Sequence, residues 1–112
     1  MNSSIVIALP KIDDAKKIRT ILNRHGFSVA AVCSTASTAL ASMSELDGGI
    51  LICGYKLTDR YYRDVLEDIP SYFEMLLLAS GRVIAEAPTS VLTVEMPVKV
   101  SDLVNTVDMM LS

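Results

Sequence analysis

The stretch Ile50-Leu51-Ile52-Cys53-Gly54 is an apolar run that ends on a glycine. Short apolar runs bounded by turn-forming residues are typical of strands that are buried on both faces, as in parallel sheets. A similar pattern recurs along the chain, and each occurrence is predicted to be a strand. The other candidates are residues 5–9, 27–32, 75–79 and 91–94.

A helical pattern follows each predicted strand. Gly26 is expected to end the first helix, and only a short fourth helix fits before Pro88. Ser34 or Thr35 is expected to cap the second helix, and Ser101 is expected to cap the last. The predicted helices cover residues 13–25, 35–46, 60–68, 82–87 and 102–111.

This alternation of strands and helices predicts an α/β fold. The expected architecture is a five-stranded parallel sheet in the order 2-1-3-4-5, with helices on both faces and a shortened fourth helix. The 112 residues fit a single domain covering residues 1–112. Apolar residues make up 51% of the chain, far more than in a disordered tail. The mixed charges, with a net charge of −3, argue against direct binding of nucleic acid.

The start of the chain and its two cysteines bear on location. No basic segment precedes the first apolar run, and no apolar stretch approaches the ~20 residues of a membrane span. A cytoplasmic protein without a membrane partner is therefore expected. Cys33 and Cys53 end two predicted strands and are expected to be reduced and packed in the core. A disulfide would require those two strand ends to meet.

The strand–helix rhythm, with Pro97 after the fifth strand, resembles the receiver domain of response regulators in two-component signal transduction. The resemblance covers the whole chain. It is carried by Gly26-Phe27-Ser28-Val29 at the second strand, by residues 50–59 at the third strand and its loop, and by Met96-Pro97-Val98.

The resemblance implies a phosphorylation site built from a specific set of groups. In receivers an aspartate at the tip of strand three accepts the phosphoryl group, and two acids after strand one hold Mg²⁺ through carboxylate oxygens. A serine or threonine after strand four and a lysine after strand five bind the phosphoryl oxygens. Phosphoryl transfer depends on this positioning and neutralisation of charge.

None of those chemical groups is present at the matching positions of this sequence. Gly54 stands at the acceptor position, Leu9 and Pro10 at the acidic pair, and Ala79 at the hydroxyl position, with Ser80 one step late. Met96 replaces the lysine, and only Pro97 is retained. The resemblance therefore implies a degenerate pseudo-receiver that cannot be phosphorylated, with no catalytic, cofactor-binding or metal-binding residues.

A finer resemblance is to the N-terminal receiver half of ANTAR-type antitermination regulators, especially those of clostridia. In that family a small helical RNA-binding domain follows the receiver, so the chain is expected to be an excised N-terminal part of such a regulator or a domain that stands alone. RNA binding is not transferred to these residues. The stretches that carry the resemblance are residues 9–15, 52–57, 73–77 and 102–107.

Two functions follow as hypotheses, and neither is an enzyme, because no nucleophile–base pair is readable in the chain. The first is a signalling and protein-interaction module, linked to transcription antitermination, that dimerises or binds a partner. The surface that receivers commonly use corresponds here to residues 82–87, 91–94 and 100–111. The alternative is a small flavodoxin-like ligand-binding domain, whose pocket would lie around Pro10, Gly54 and Ala79 at the carboxyl ends of the strands.

Other residues invite a functional interpretation beside a structural one. Asp13 and Asp14 are expected to complement a helix dipole rather than hold a metal. Asp59 is expected to be solvated or to cap a helix rather than replace the missing acceptor. His25 is expected at the surface. The aromatic pairs Tyr61–Tyr62 and Tyr72–Phe73 are read either as interface anchors or as pairs with one member packed inward.

Overall fold

A computed structural model describes residues 4–112 and contains one five-stranded parallel sheet. The strand order is β2-β1-β3-β4-β5, so the predicted fold and topology are confirmed. Each strand lies within a few residues of its predicted position. The strands are β1 (Ser4–Ala8), β2 (Val29–Cys33), β3 (Gly49–Gly54), β4 (Phe73–Ala79) and β5 (Leu92–Glu95).

Five helices connect or follow the strands, and the fourth is short, as predicted. The Thr35 side chain, rather than that of Ser34, caps the second helix by accepting a hydrogen bond from the Thr38 N–H at 3.2 Å. No helix within residues 4–112 combines the length and apolarity needed to cross a bilayer. The helices are α1 (Ile12–Arg24), α2 (Ala36–Ser44), α3 (Tyr62–Asp68), α4 (Gly81–Ala85) and α5 (Val100–Leu111).

The predicted start of the last helix was wrong. Lys99, not Ser101, occupies the N-cap position with extended backbone angles, and no side chain caps this end. The helix begins at Val100, three residues after Pro97, and it buries Leu103 and Val107 against the sheet. Ser101 consequently lies in the first turn and is exposed.

Side chains alternate between two apolar layers, one on each face of the sheet. Val6, Leu51 and Leu77 point into the layer that α2 and α3 cover. Ile7 and Ile52 point into the layer beneath α1 and α5. Both layers are fully buried, which explains why the strands read as continuous apolar runs.

Gly49 shows how closely β1 and β3 approach. Its φ is +148°, and a Cβ at this position would overlap the backbone oxygen of Ser4. The third strand therefore starts on a residue that has no side chain. This contact fixes the register in which Ser4 pairs with Gly49 and Ala8 pairs with Cys53.

Both cysteines are free and buried, as predicted. Cys33 and Cys53 pair with Ala8 from opposite sides, so a whole strand separates them. Two strand spacings amount to ~9.5 Å, well beyond the Cα separation of a disulfide. Burial raises the pKa of the Cys53 thiol to about 12. This thiol is therefore a core group rather than a reactive one.

Candidate functional site

All positions singled out by the receiver resemblance lie where the strands end, on a surface that we call the carboxyl edge. Strand pairing brings them to one level, since Gly54 pairs with Leu78 and Ala79 pairs with Glu95. Leu9 directly follows β1, and its N–H donates to the oxygen of Cys33 at 3.1 Å. The residues of the carboxyl edge are Leu9, Pro10, Gly54, Ala79, Ser80, Met96 and Pro97.

The space in front of Gly54 is filled by apolar side chains. A Cβ at Gly54 would lie 3.2 Å from Cδ2 of Leu9 and 3.4 Å from Cδ of Pro10. Leu9 is itself buried, with 7% of its surface exposed. A Cβ at Gly54 would require Leu9 to shift by a few tenths of an ångström and would be in ordinary contact with Pro10, so the position is tightly packed and holds no nucleophile.

The ends of β4 and β5 carry no lysine at the position that directly follows β5, which is Met96. The Met96 N–H donates to the Ala79 oxygen at 2.8 Å, and the Met96 side chain is 46% exposed. Ser80 precedes α4, and its side chain caps no N–H there. The Glu95 carboxylate lies over Gly81, 2.9 Å from where a Cβ would be. At the end of β5, Glu95 and Met96 line a cavity of about 230 Å³ together with Pro97, Lys99 and Asp102, so both signs of charge are present there.

The acidic residues near this edge do not form a cation site. Asp13 and Asp14 lie exposed in the first turn of α1, where they complement the helix dipole. Within residues 4–112, no group of three metal-binding side chains comes together.

His25 is exposed at the end of α1, and its Nδ1 lies 2.9 Å from the oxygen of Ile21.

Asp59 caps a helix, but the helix is α2 rather than the one that follows it. Its Oδ1 accepts a hydrogen bond from the Ala36 N–H at 2.7 Å, and its Oδ2 accepts one from the Ser37 N–H at 3.2 Å. The bond from Ala36, with that from Ser37, holds the pKa of the Asp59 carboxyl below its usual range. The carboxylate is therefore engaged as an ion and does not replace the missing acceptor.

The loop between β3 and α3 is held at several points. Thr58 donates from both its N–H and its hydroxyl to the oxygen of Ser34, at 3.3 and 3.1 Å. Within the loop, Leu57 is buried, and its N–H donates to the Arg60 oxygen at 2.7 Å. Lys56 pairs with Tyr61 in an antiparallel bridge. The loop thus has a defined shape.

This loop carries a cluster of three tyrosines. The rings of Tyr55 and Tyr61 pack edge to face with centroids 5.4 Å apart, and each residue is 45% exposed. Tyr62 is buried, with its ring 6.0 Å from that of Tyr55. One member of each aromatic pair packs inward, because Tyr62 and Phe73 are buried while Tyr61 and Tyr72 are exposed.

The tyrosine cluster lines a groove of about 280 Å³ beside α4, which the sequence did not predict. Tyr61 and Tyr62 stood out as neighbours, but Tyr55 joins them only because the loop folds back through the Lys56–Tyr61 bridge. Nothing in the local sequence marks that closure. We call this surface the tyrosine groove; its lining is Tyr55, Tyr61, Tyr62, Arg63, Val83 and Glu86.

The surface formed by α4, β5 and α5 includes exposed apolar residues. Leu92 on the edge strand is 38% exposed, and Val100 on α5 is 44% exposed. Met109, near the end of α5, is 58% exposed. We call this surface the α4–β5–α5 face, and apolar exposure on a sheet edge marks a place where another surface can pack.

Among the comparisons with known proteins, those with solved structures agree on the fold. No protein-family model matches this sequence, and no curated protein is similar to it. Among solved structures, a CheY-like response regulator receiver domain from Methylobacillus flagellatus aligns with a TM-score of 0.81 and 12% identity, covering 98% of this chain and 99% of that one. A protein described as adenylate cyclase from Rhodopirellula baltica has a TM-score of 0.84 and 16% identity, covering 99% and 88%.

Longer proteins are also similar to this chain. A redox sensor of the streptococci, described as evolved from two-component response regulators, has a TM-score of 0.78 and 16% identity. The alignment covers 98% of this chain and 51% of that one, so this chain spans about half the length of that relative. At these identities the likeness shows the fold alone, which is the receiver (CheY-like) α/β fold.

Proposed function

We propose that this chain is a pseudo-receiver, a protein-interaction module of a response regulator that transmits a signal without being phosphorylated. The single observation that carries the proposal is the filled space at Gly54, where Leu9 and Pro10 stand within 3.4 Å of the missing Cβ. A receiver acceptor site needs a carboxylate at this point and open space for a phosphoryl group. Here apolar packing takes the place of both.

The neighbouring positions support the same conclusion. Phosphoryl transfer needs a cation and fixed positive groups to neutralise the charge that develops on the oxygens. Leu9 and Pro10 offer no oxygen ligand from their side chains, and Met96 offers no positive charge. We therefore propose that the domain has no catalytic role and needs no metal or other cofactor.

With phosphorylation and catalysis set aside, we propose that the domain acts by binding a protein. The α4–β5–α5 face has apolar side chains on the surface, among them Leu92 and Val100. We infer that this face binds a second copy of the chain or a partner protein. The free, buried cysteines fit the reducing cytoplasm, which is the location we propose.

The link to transcription antitermination rests on the ANTAR resemblance of the sequence. In that arrangement residues 1–112 form the N-terminal domain, and an RNA-binding domain forms the output. The reading frame of the encoding gene tests this proposal. Continuation past Ser112 into a small helical domain would support it, and a stop codon directly after Ser112 would remove the output that the proposal requires.

Titration with Mg²⁺ tests the pseudo-receiver itself. With the ¹⁵N-labelled chain, we expect no saturable change in the amide signals of Leu9, Gly54 and Ala79, because no carboxylates converge there. A phosphorylatable receiver titrated in parallel serves as the control. Saturable shifts centred on the carboxyl edge would contradict the proposal.

A flavodoxin-like ligand site around Pro10, Gly54 and Ala79 is the less favoured function. Leu9 and Pro10 occupy the space that a ligand would need in front of Gly54. A cavity of about 230 Å³ does lie at the end of β5, but its lining of Glu95, Met96, Pro97, Lys99 and Asp102 includes none of Pro10, Gly54 and Ala79.

A further inference from the structure

We propose that the tyrosine groove is a second docking site, which binds a short acidic segment of a partner protein through an apolar anchor residue. It lies between the β3–α3 loop and α4 and does not include the exposed residues of β5 and α5 described above. The groove shares its α4 wall, Val83 and Glu86, with the α4–β5–α5 face, but its aromatic wall lies outside that face. The inference does not depend on the pseudo-receiver proposal.

The groove is preorganised. The Tyr62 N–H donates to the Tyr55 oxygen at 2.9 Å, which closes the loop on itself. Asp59 ties the same loop to α2, and a guanidinium nitrogen of Arg63 donates to the backbone oxygen of Glu86, which ties α3 to the end of α4. A surface that is already ordered loses little conformational entropy on binding, so even a small contact area can contribute affinity.

The aromatic walls favour an apolar anchor. Tyr55 and Tyr61 are each 45% exposed although their rings contact one another, and buried Tyr62 lies beside them. Exposed tyrosines that flank a pocket are typical of interface anchors. The volume of about 280 Å³ lies at the low end for sites that hold a free small molecule. It suits the side chain of one anchor residue in a peptide.

The charges beside the groove select the rest of the ligand. The ammonium group of Lys56 lies 5.2 Å from the Tyr61 ring centroid, and the guanidinium of Arg63 lies 5.6 Å from that of Tyr62. Arg60–Asp68 is the only salt bridge within residues 4–112. Neither Lys56 nor Arg63 therefore has a carboxylate at ion-pair distance. Arg63 already donates to the Glu86 backbone oxygen, so Lys56 is the cation that is free to meet an incoming carboxylate.

Glu86 gives the bound segment a direction. It lines the groove at the α4 side, opposite in charge to Lys56 and Arg63. An acidic segment would place its carboxylates near Lys56 and keep them away from Glu86. Replacement of Glu86 by glutamine is therefore expected to tighten binding.

Peptide titrations of the ¹⁵N-labelled full chain test the proposal. The probe is a short capped peptide with one leucine between two runs of glutamate. Three control peptides carry lysine in place of glutamate, glutamine in place of glutamate, or serine in place of leucine. We expect only the glutamate–leucine peptide to shift the signals of Tyr55, Lys56 and Tyr61 saturably. Lys56→Glu should weaken binding about tenfold, and Tyr61→Ala about fivefold or more.

Matched variants separate a site from general attraction. Lys16→Glu changes an exposed lysine on α1, and Tyr72→Ala removes a tyrosine that is 49% exposed elsewhere on the surface; both should leave binding unchanged. Lys56→Glu alters an exposed side chain outside the core, so it keeps the test valid if Tyr61→Ala unfolds. Equal binding of the glutamine or serine peptides, equal loss with Lys16→Glu, or shifts centred on α1 would overturn the proposal.

Discussion

At the scale of single residues, the side chains of Leu9 and Pro10 limit the space beside Gly54. Gly54 and Leu9 pack closely, because Cδ2 of Leu9 lies 3.2 Å from the Cβ that any other residue would bring. The leucine after β1 and the glycine at the end of β3 are therefore parts of one packing arrangement. We expect that an aspartate introduced at position 54 alone does not create a receiver site.

We expect Gly54→Asp to destabilise the fold by about 1–3 kcal/mol, since it overpacks this position and adds a carboxylate beside apolar groups. Gly54→Ala, which adds only the Cβ, should cost less. In the double variant with Leu9→Ala, the total loss should be smaller than the sum of the single losses, because the shorter side chain makes room. Chemical denaturation measures all four proteins, and strictly additive losses would contradict the packing argument.

Because the pKa of Cys53 is raised in the fold, we expect the protein to lose stability at alkaline pH. Its thiol has a pKa raised from 9.0 to about 12 in the fold. Above pH 9 the unfolded chain loses this proton while the folded chain keeps it, so the free energy of unfolding should fall between pH 9 and 12. Denaturation of wild type and Cys53→Ala across that range measures the effect. A slope that is the same in both proteins would contradict it.

At the scale of elements, Asp59 joins the β3–α3 loop to the start of α2. Its two carboxylate oxygens accept from the first two N–H groups of a helix that lies more than twenty residues earlier in the chain. The helix N-terminus is thereby occupied by a carboxylate of the chain itself, which also satisfies backbone donors that have no partner within the helix.

Asp59→Ala should lower stability by about 1 kcal/mol, as loss of a helix cap generally does. Asp59→Asn should keep part of the cap but lose its dependence on pH. Because the carboxyl pKa is lowered in the fold, its contribution is complete above the ordinary value of 3.8 and is lost as the pH falls through the folded pKa. Acid titration of unfolding for the three proteins checks this, and an unchanged acid profile in Asp59→Asn would count against it.

The elements differ in how far the sequence alone predicts them. Strands such as Gly49–Gly54 were predictable because burial on both faces leaves a continuous apolar run. The start of α5 was not, since Lys99 caps it with its backbone and leaves no side-chain signal. The Asp59–α2 contact and the tyrosine groove depend on loops that meet in space, and no periodicity of the sequence encodes such a meeting.

At the scale of the whole molecule, a receiver-type fold carries the apolar residues Leu9, Pro10, Ala79 and Met96 at its carboxyl edge. The topology shared with other receiver folds places Gly54, Ala79 and Met96 at one edge of the sheet. On the pseudo-receiver proposal, this molecule acts through its surfaces rather than through a reaction centre. Two such surfaces are proposed, the α4–β5–α5 face and the tyrosine groove.

If the α4–β5–α5 face pairs two copies, Leu92→Glu should shift the molar mass in solution from dimer to monomer, because a buried, unpaired carboxylate is costly at an interface. Ile12→Glu is the matched control, since Ile12 on α1 has the same 38% exposure as Leu92. Light scattering over a range of concentrations measures both variants. A wild-type chain that stays monomeric, or an equal effect of Ile12→Glu, would show that this face does not mediate dimers.

Phosphorylation is the most direct test of the central claim. The chain is incubated with acetyl phosphate and Mg²⁺ beside a phosphorylatable receiver, and the intact mass is recorded before and after treatment with hydroxylamine. We expect an unchanged mass for this chain, because no carboxylate stands at Gly54 and the side chains of Leu9 and Pro10 pack against that position. A hydroxylamine-sensitive gain of one phosphoryl group, mapped to the carboxyl edge, would contradict it.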